Sequence, residues 1–334
     1  MVSKKSYDKA ERERERKFGS SYKWIALSNT TLGALMASIN ASILIISLPA
    51  IFNGLGINPL SPSSTALLIW LLLGYSIVSA VAVVSVGRLS DMYGRVRLYN
   101  LGFAIFTIGS IGLYASSLFI SGVAGALSLI FIRVLQGIGG AFLFANSAAI
   151  LTDAFPANER GKALGFNQIA AVGGSVVGFI VGGLLAGIDW HLIFLINVPF
   201  GIAGTIWAYL ALHEIALIKE NQKFDVFGNI TFGAALILLL VGITYGLLPY
   251  GQSISGWSNP FVISSIAISV VLFILFVAIE LKVMEPMLKL TLFKIRSFTF
   301  GNLSLLLAGL SRGGLQFMLI IWLQGIWLPF HGVS

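Results

Sequence analysis

The amino-acid sequence predicts an all-α integral membrane protein, and three observations carry that expectation. Nine apolar stretches are each long enough to cross a bilayer. Lys and Arg appear only in every second loop between them. Of the 334 residues, 57% are hydrophobic and 10% charged, with a mean hydropathy of +0.92, more apolar surface than a soluble domain of this size can hide.

In chain order the spans are expected at about 24–52, 65–86, 98–118, 124–149, 163–187, 191–212, 227–248, 260–280 and 298–328. The first follows a charged head, residues 1–23, where eight basic residues face Asp8, Glu11, Glu13 and Glu15. The second ends before Arg88, Arg95 and Arg97, and the third begins after them. Arg160 and Lys162 separate the fourth from the fifth, and Lys219 and Lys223 the sixth from the seventh. Lys282, Lys289, Lys294 and Arg296 lie between the eighth and ninth. By the positive-inside rule the amino terminus is cytoplasmic, and nine spans place the carboxyl terminus outside. The expected location is the cell (plasma) membrane. No span has the short apolar core and small-residue cleavage site of a signal peptide.

Helices are expected because a membrane strand needs only about ten residues and alternates in polarity. The segment Lys9 to Lys17 reads as a solvated tail, with a charged helix running into span 1 or a lipid-surface anchor as alternatives, since it has no apolar face. Absence of cysteine excludes disulfides and thiol nucleophiles. The net charge of +8 sits in short loops and one tail, so it reads as a topology signal and no nucleic-acid partner is expected. Three scattered histidines, His191, His213 and His331, make neither a metal site nor a catalytic constellation, and no enzyme activity, cofactor or metal is expected. Gly137-Ile138-Gly139-Gly140 lies inside an apolar helix with no strand before it, so it is no dinucleotide loop.

Between spans 2 and 3 runs Gly87-Arg88-Leu89-Ser90-Asp91-Met92-Tyr93-Gly94-Arg95-Val96-Arg97. Two glycines permit a tight reversal at the membrane surface, and an acid among three arginines can pair with them or with a helix amino terminus. The run resembles the loop signature G-x-L-x-D-x-x-G-R-x-x of the major facilitator superfamily, in which it locks and releases the cytoplasmic gate. In span 4, Arg133, Gln136, Gly137, Gly139, Gly140 and Ala141 resemble that family's R-x-x-Q-G-x-G-x-A element, whose arginine is associated with proton coupling. An arginine at that depth must face protein or water, unless it sits at the helix edge and snorkels outward. In span 5, Gly174, Gly178 and Gly182 recur every four residues beside Gly173, Gly183 and Gly187, a face that lets a neighbouring helix approach closely. They resemble the family's antiporter signature G-x-x-x-G-P-x-x-G-G, except that Phe179 stands at its proline. Generic helix packing accounts for the glycines equally well.

Ser47-Leu48-Pro49, Asp189 to Pro199, Phe224-Asp225 with Gly228, and Glu285-Pro286 through Leu292-Phe293 and Phe298 are similar to the fourteen-span drug:proton antiporter branch. That resemblance implies a six-helix amino-terminal bundle at 24–213, two inserted helices at 214–290 and, at 291–334, the first helix of an incomplete second bundle. It further implies a secondary transporter that exports small molecules, with protons as coupling ion and the bilayer as environment. The branch has an aspartate where this chain has Asn40, and an amide cannot titrate. No acidic residue falls near the middle of any span. Asn40, Trp70, Tyr75, Asn146, Gln168, Arg312 and Gln316 are the expected cavity-lining positions. Arg312, Gln316 and Gln324 share a face of span 9, either as a hydrophilic stripe or around a structural arginine at a broken helix. A site in this architecture lies between two halves at the midplane. The chain is therefore expected to be a truncated relic, or one part of a split transporter completed by a second chain. An uptake symporter is a further reading.

Overall fold

The computed structural model describes residues 19, 21–58, 62–215, 225–251, 253, 255–283 and 286–322. The tail before residue 19, Lys219, Lys223, Phe224, Glu285, Gln324 and His331, and the side chain of Gln316, lie outside the described residues. The helices are α1 (Tyr22–Gly54), α2 (Pro62–Tyr93), α3 (Arg95–Phe119), α4 (Gly122–Ala154), α5 (Arg160–Ile188), α6 (Leu192–Ala211), α7 (Val226–Gly246), α8 (Pro260–Glu280) and α9 (Arg296–Trp322). A turn at Ile196 divides α6 into Leu192–Leu195 and Asn197–Ala211. Among the described residues, eight helices, α1 to α8, are long and apolar enough to cross a membrane. The ninth expected span corresponds to α9, a helix of 27 described residues that is not one of these eight.

Helices of 25 to 33 residues overshoot the roughly 20 that a bilayer needs, and the surplus carries the charged ends beyond the hydrocarbon. The overshoot corrects one sequence reading. α2 continues through Ser90, Asp91 and Tyr93, so Gly87 is an interior helical residue and not a turn glycine. The reversal belongs to Gly94 alone, at φ +105°, a conformation that residues with a Cβ rarely adopt.

α1 to α6 pack together around three apolar clusters, the smallest formed by Val86, Ala141 and Phe142. Of the two larger ones, one, near the charged ends, contains Tyr22, Tyr99, Phe103 and Phe155, and the other, toward the opposite ends, contains Ile51, Leu71, Leu113 and Phe194. The closest pairings are α1 with α5, α3 with α4, and α2 with α4. Small residues make them possible. A Cβ on Gly174 or Gly178 would lie 2.8 Å from the Leu35 or Ile39 carbonyl oxygen, and one on Gly182 would strike Ile43 and Ile46, all on α1. Gly183, expected to share that packing face, is exposed and has nothing within reach, because it points away from α1.

α7 and α8 form a separate antiparallel pair that meets the bundle through α2. Asp225 caps α7 by accepting from the Gly228 N–H at 2.8 Å, and Asn259 caps α8 by accepting from the Phe261 N–H at 2.9 Å. α9 stands apart: Phe298 and Thr299 are half-buried, its described side chains from Phe300 onward are exposed, and it packs chiefly on the short 3₁₀ turn Leu290–Lys294.

Candidate functional site: two arginines in a helical bundle

The bundle holds two polar centres, one at the basic face and one at mid-depth. At the basic face, the Arg95 guanidinium donates to both carboxylate oxygens of Asp153 at 2.7 Å, and from Nε and Nη2 to Asp91 Oδ1 at 3.1 and 2.8 Å. These contacts tie the end of α2, the start of α3 and the end of α4. Glu214, just past α6, accepts from the Arg95 and Val96 N–H groups at 2.8 and 3.0 Å and so caps α3 from another helix. A Cβ on Gly94 would meet Glu214 Oε2 at 2.8 Å, a second reason for glycine there. The Tyr22 hydroxyl donates to the His213 carbonyl and accepts from its N–H, both at 2.9 Å, and Lys23 Nζ lies 2.6 Å from Glu159 Oε2. Residues at or next to the basic-face end of each helix of the bundle thus make polar cross-links, charge-assisted at Arg95, Glu214 and Lys23.

At mid-depth, Arg133 of α4 is 1% exposed. It neither sits at the helix edge nor snorkels, which settles that alternative. Its Nη1 donates to Gln136 Oε1 at 3.2 Å, Gln136 Nε2 donates to Ser110 Oγ at 2.9 Å, and its guanidinium carbon lies 5.7 Å from the Tyr75 ring centre. Arg133 Nε has no hydrogen-bond partner, and among the described residues no carboxylate pairs with it. The adjoining glycines have distinct duties. A Cβ on Gly137 would press within 2.7 Å of the Tyr75 carbonyl oxygen, and one on Gly140 would collide with the Tyr75 hydroxyl. Gly139 faces α3, where a Cβ would lie 2.7 Å from the Phe106 nitrogen. The glycine pattern therefore seats α4 between α2 and α3 and delivers the Tyr75 ring to Arg133.

Asn40 is buried against α6, where its Oδ1 accepts from Asn197 Nδ2 at 3.1 Å. Asn40 Nδ2 and Asn197 Oδ1 are left without partners. Asn146 is fully buried and donates to the Phe142 carbonyl one turn back, its Oδ1 unpartnered. Trp70, expected in the cavity, donates instead to the Tyr245 hydroxyl at 3.2 Å and fastens α2 to α7, because it lies on the side of α2 turned toward the helix pair. Gln168 and Arg312 are exposed on α5 and α9. Arg133, Gln136 and Tyr75 thus come together, as do Asp91 and Arg95, while Trp70, Gln168 and Arg312 join neither centre.

Asp153, Glu214, Ser110 and Asn197 are the partners that reading along the chain missed. Asp153 and Glu214 stand out in sequence only as acids at the ends of spans 4 and 6, and Asn197 falls within a stretch already singled out.

Between α5 and α6 the His191 ring and backbone N–H both meet Asp189 Oδ1. The hydrogen bond from the ring, with that from the backbone, holds the Asp189 carboxyl below the usual carboxylate range.

The family model "Major Facilitator Superfamily" matches residues 30–332. The chain is 31% identical over 304 residues to the riboflavin transporter RibZ of Clostridioides difficile, covering 90% of this chain and 61% of that protein. It is 26% identical to the tetracenomycin C resistance and export protein of Streptomyces glaucescens (93% of this chain, 54% of that protein). It is 31% identical to multidrug resistance protein 3 of Bacillus subtilis (83% and 51%). The chain spans about half to three-fifths of the length of these relatives. A multi-pass helical membrane protein with this loop signature, this buried arginine element and this family match belongs to the major facilitator superfamily.

Proposed function

We propose that this protein is a secondary transporter that exports small organic molecules across the plasma membrane, driven by the proton gradient, with the basic face in the cytoplasm. The observation that carries the reading is Arg133, a guanidinium buried in the bundle without a carboxylate. Such a group lowers stability and is retained where it performs a task. In this reading Arg133, with Gln136 and Tyr75, is the fixed positive charge of the coupling centre. The Asp91–Arg95–Asp153 bonds hold the cytoplasmic ends together in one state and part in the other. The Gly174/Gly178/Gly182 face lets α5 move along α1.

The interior also bears on substrate. Asn40 and Asn197 offer an unpartnered donor and an unpartnered acceptor, Arg133 supplies positive charge, and among the described residues no acid lies at mid-span in α1 to α6. That chemistry suits uncharged or anionic polar aromatic compounds over cationic dyes. Relatives named for riboflavin and for tetracenomycin C support the same preference.

The test is accumulation of riboflavin and of ethidium by everted vesicles from cells expressing the complete gene, with and without a protonophore. Riboflavin accumulation that the protonophore and Arg133→Met both abolish supports the reading. Accumulation that survives the protonophore contradicts proton coupling, and accumulation only in right-side-out vesicles establishes uptake instead. A second proposal concerns α9, whose exposed faces carry Arg312. We infer that further helices, of the same polypeptide or of a second chain, pack against it. Crosslinking from a cysteine placed at Leu306 checks this, since the chain has none of its own.

A further inference from the structure

α3 and α6 approach closely at Gly201 and Gly204. A Cβ on Gly204 would sit 2.5 Å from the Phe103 ring, and one on Gly201 would collide with Thr107 Oγ1. Between that contact and the basic face the two helices line a groove of about 790 Å³. Leu101 and Ala104 line its wall on α3 and Tyr209 its wall on α6, while Arg97, Asn100 and His213 line its end at the basic face. Leu101 and Tyr209 are 45% and 77% exposed, so the groove opens on the outer surface of the bundle, where the bilayer lies.

The polar end is unusual in what it leaves unused. Arg95 is committed to Asp91 and Asp153, whereas Arg97 is exposed and makes no ion pair or hydrogen bond among the described residues. Glu214 also borders the groove, but both its oxygens already accept from backbone N–H groups. Asn100 Oδ1 is buried without a partner, an acceptor awaiting a donor. A cation, an unpaired acceptor and an aromatic lie at headgroup level, and an apolar wall runs inward for about 10 Å over two turns of α3.

We propose that this groove binds one anionic glycerophospholipid of the leaflet at the basic face, its phosphate on Arg97, a headgroup hydroxyl donating to Asn100, and an acyl chain along Leu101 and Ala104. Free phosphate compounds lack the chain that would fill the wall, and a zwitterionic choline headgroup offers Asn100 no donor. The leaflet assignment rests on the orientation proposed above; the binding itself is independent of transport.

The experiment is native mass spectrometry of the full chain, purified and delipidated in detergent, titrated with phosphatidylglycerol or phosphatidylcholine of the same acyl composition. The expected result is a single retained phosphatidylglycerol adduct. Arg97→Gln should weaken it about fivefold, the effect of one basic residue at a membrane surface. Ala104→Leu, which narrows the wall, should weaken both lipids, and Arg296→Gln, at the same face but outside the groove, should change nothing. Equal retention by wild type and Arg97→Gln at matched thermal stability overturns the proposal. So does equal loss in Arg296→Gln, which reveals only general surface charge. Displacement by glycerol 3-phosphate at concentrations comparable to the lipid also overturns it, since the ligand is then a soluble phosphate compound.

Discussion

Arg95 and Arg133 sit in one bundle, on adjacent helices, and are handled in opposite ways. Arg95, about a quarter exposed, meets two carboxylates that occupy three of its nitrogens. Arg133, 1% exposed, has an amide, a tyrosine ring and one orphaned nitrogen. Charge pairing is cheap near water and strong enough to fasten helix ends, so the rim network holds the structure together. Desolvation makes a buried cation expensive, and neighbours that only half satisfy it do not offset that cost. The rim is thus built for stability, and the mid-depth centre is maintained against it.

The rim should lose most when its centre is removed. Arg95→Met leaves Asp91 and Asp153 facing each other and should lower stability by about 2 kcal/mol, read by thermal denaturation in detergent. Glu214→Ala uncaps α3 without touching the ion pairs and should cost about 1 kcal/mol. Adding Asp153→Asn to Arg95→Met should recover part of the loss, roughly 0.5–1 kcal/mol, because the two residues are coupled; simple additivity would show that the bond observed at 2.7 Å carries no energy.

The smallest effect belongs to Asp189, between α5 and α6. Its carboxyl is held below its ordinary value, so it contributes stability above that value and loses it as pH falls. With its side chain 45% exposed, screening keeps the contribution to a few tenths of a kcal/mol. Asp189→Asn should remove a shallow acid-side slope in thermal stability below about pH 4 and leave the curve at neutral pH nearly unchanged.

Much of this architecture was legible in the sequence, because bilayer thickness imposes a minimum span length: α1 and α3 to α8 follow their expected bounds within about five residues, while α2 runs seven residues beyond its expected end. Gly174, Gly178 and Gly182 were legible for a similar reason: helical period alone puts them on one face. Pairings across the chain were not. Asn40 meets Asn197, Arg95 meets Asp153 and Glu214, and Gln136 meets Ser110, separations of 157, 58, 119 and 26 residues that no local pattern encodes. Gly87 misled because glycine in a signature with charged neighbours reads as a turn, whereas α2 had enough surplus length to carry it as helix. Gly183 misled because adjacency to a packing face is not membership of it.

The most direct test compares Arg133→Met with Arg95→Met in the same detergent, reading the thermal midpoint of each and substrate accumulation in vesicles. Arg133→Met should leave the midpoint unchanged or raise it while abolishing transport, since methionine fills the site without a charge to desolvate. A midpoint that falls as far as in Arg95→Met, with transport retained, would show that Arg133 is a structural residue and that the division between rim and centre does not hold.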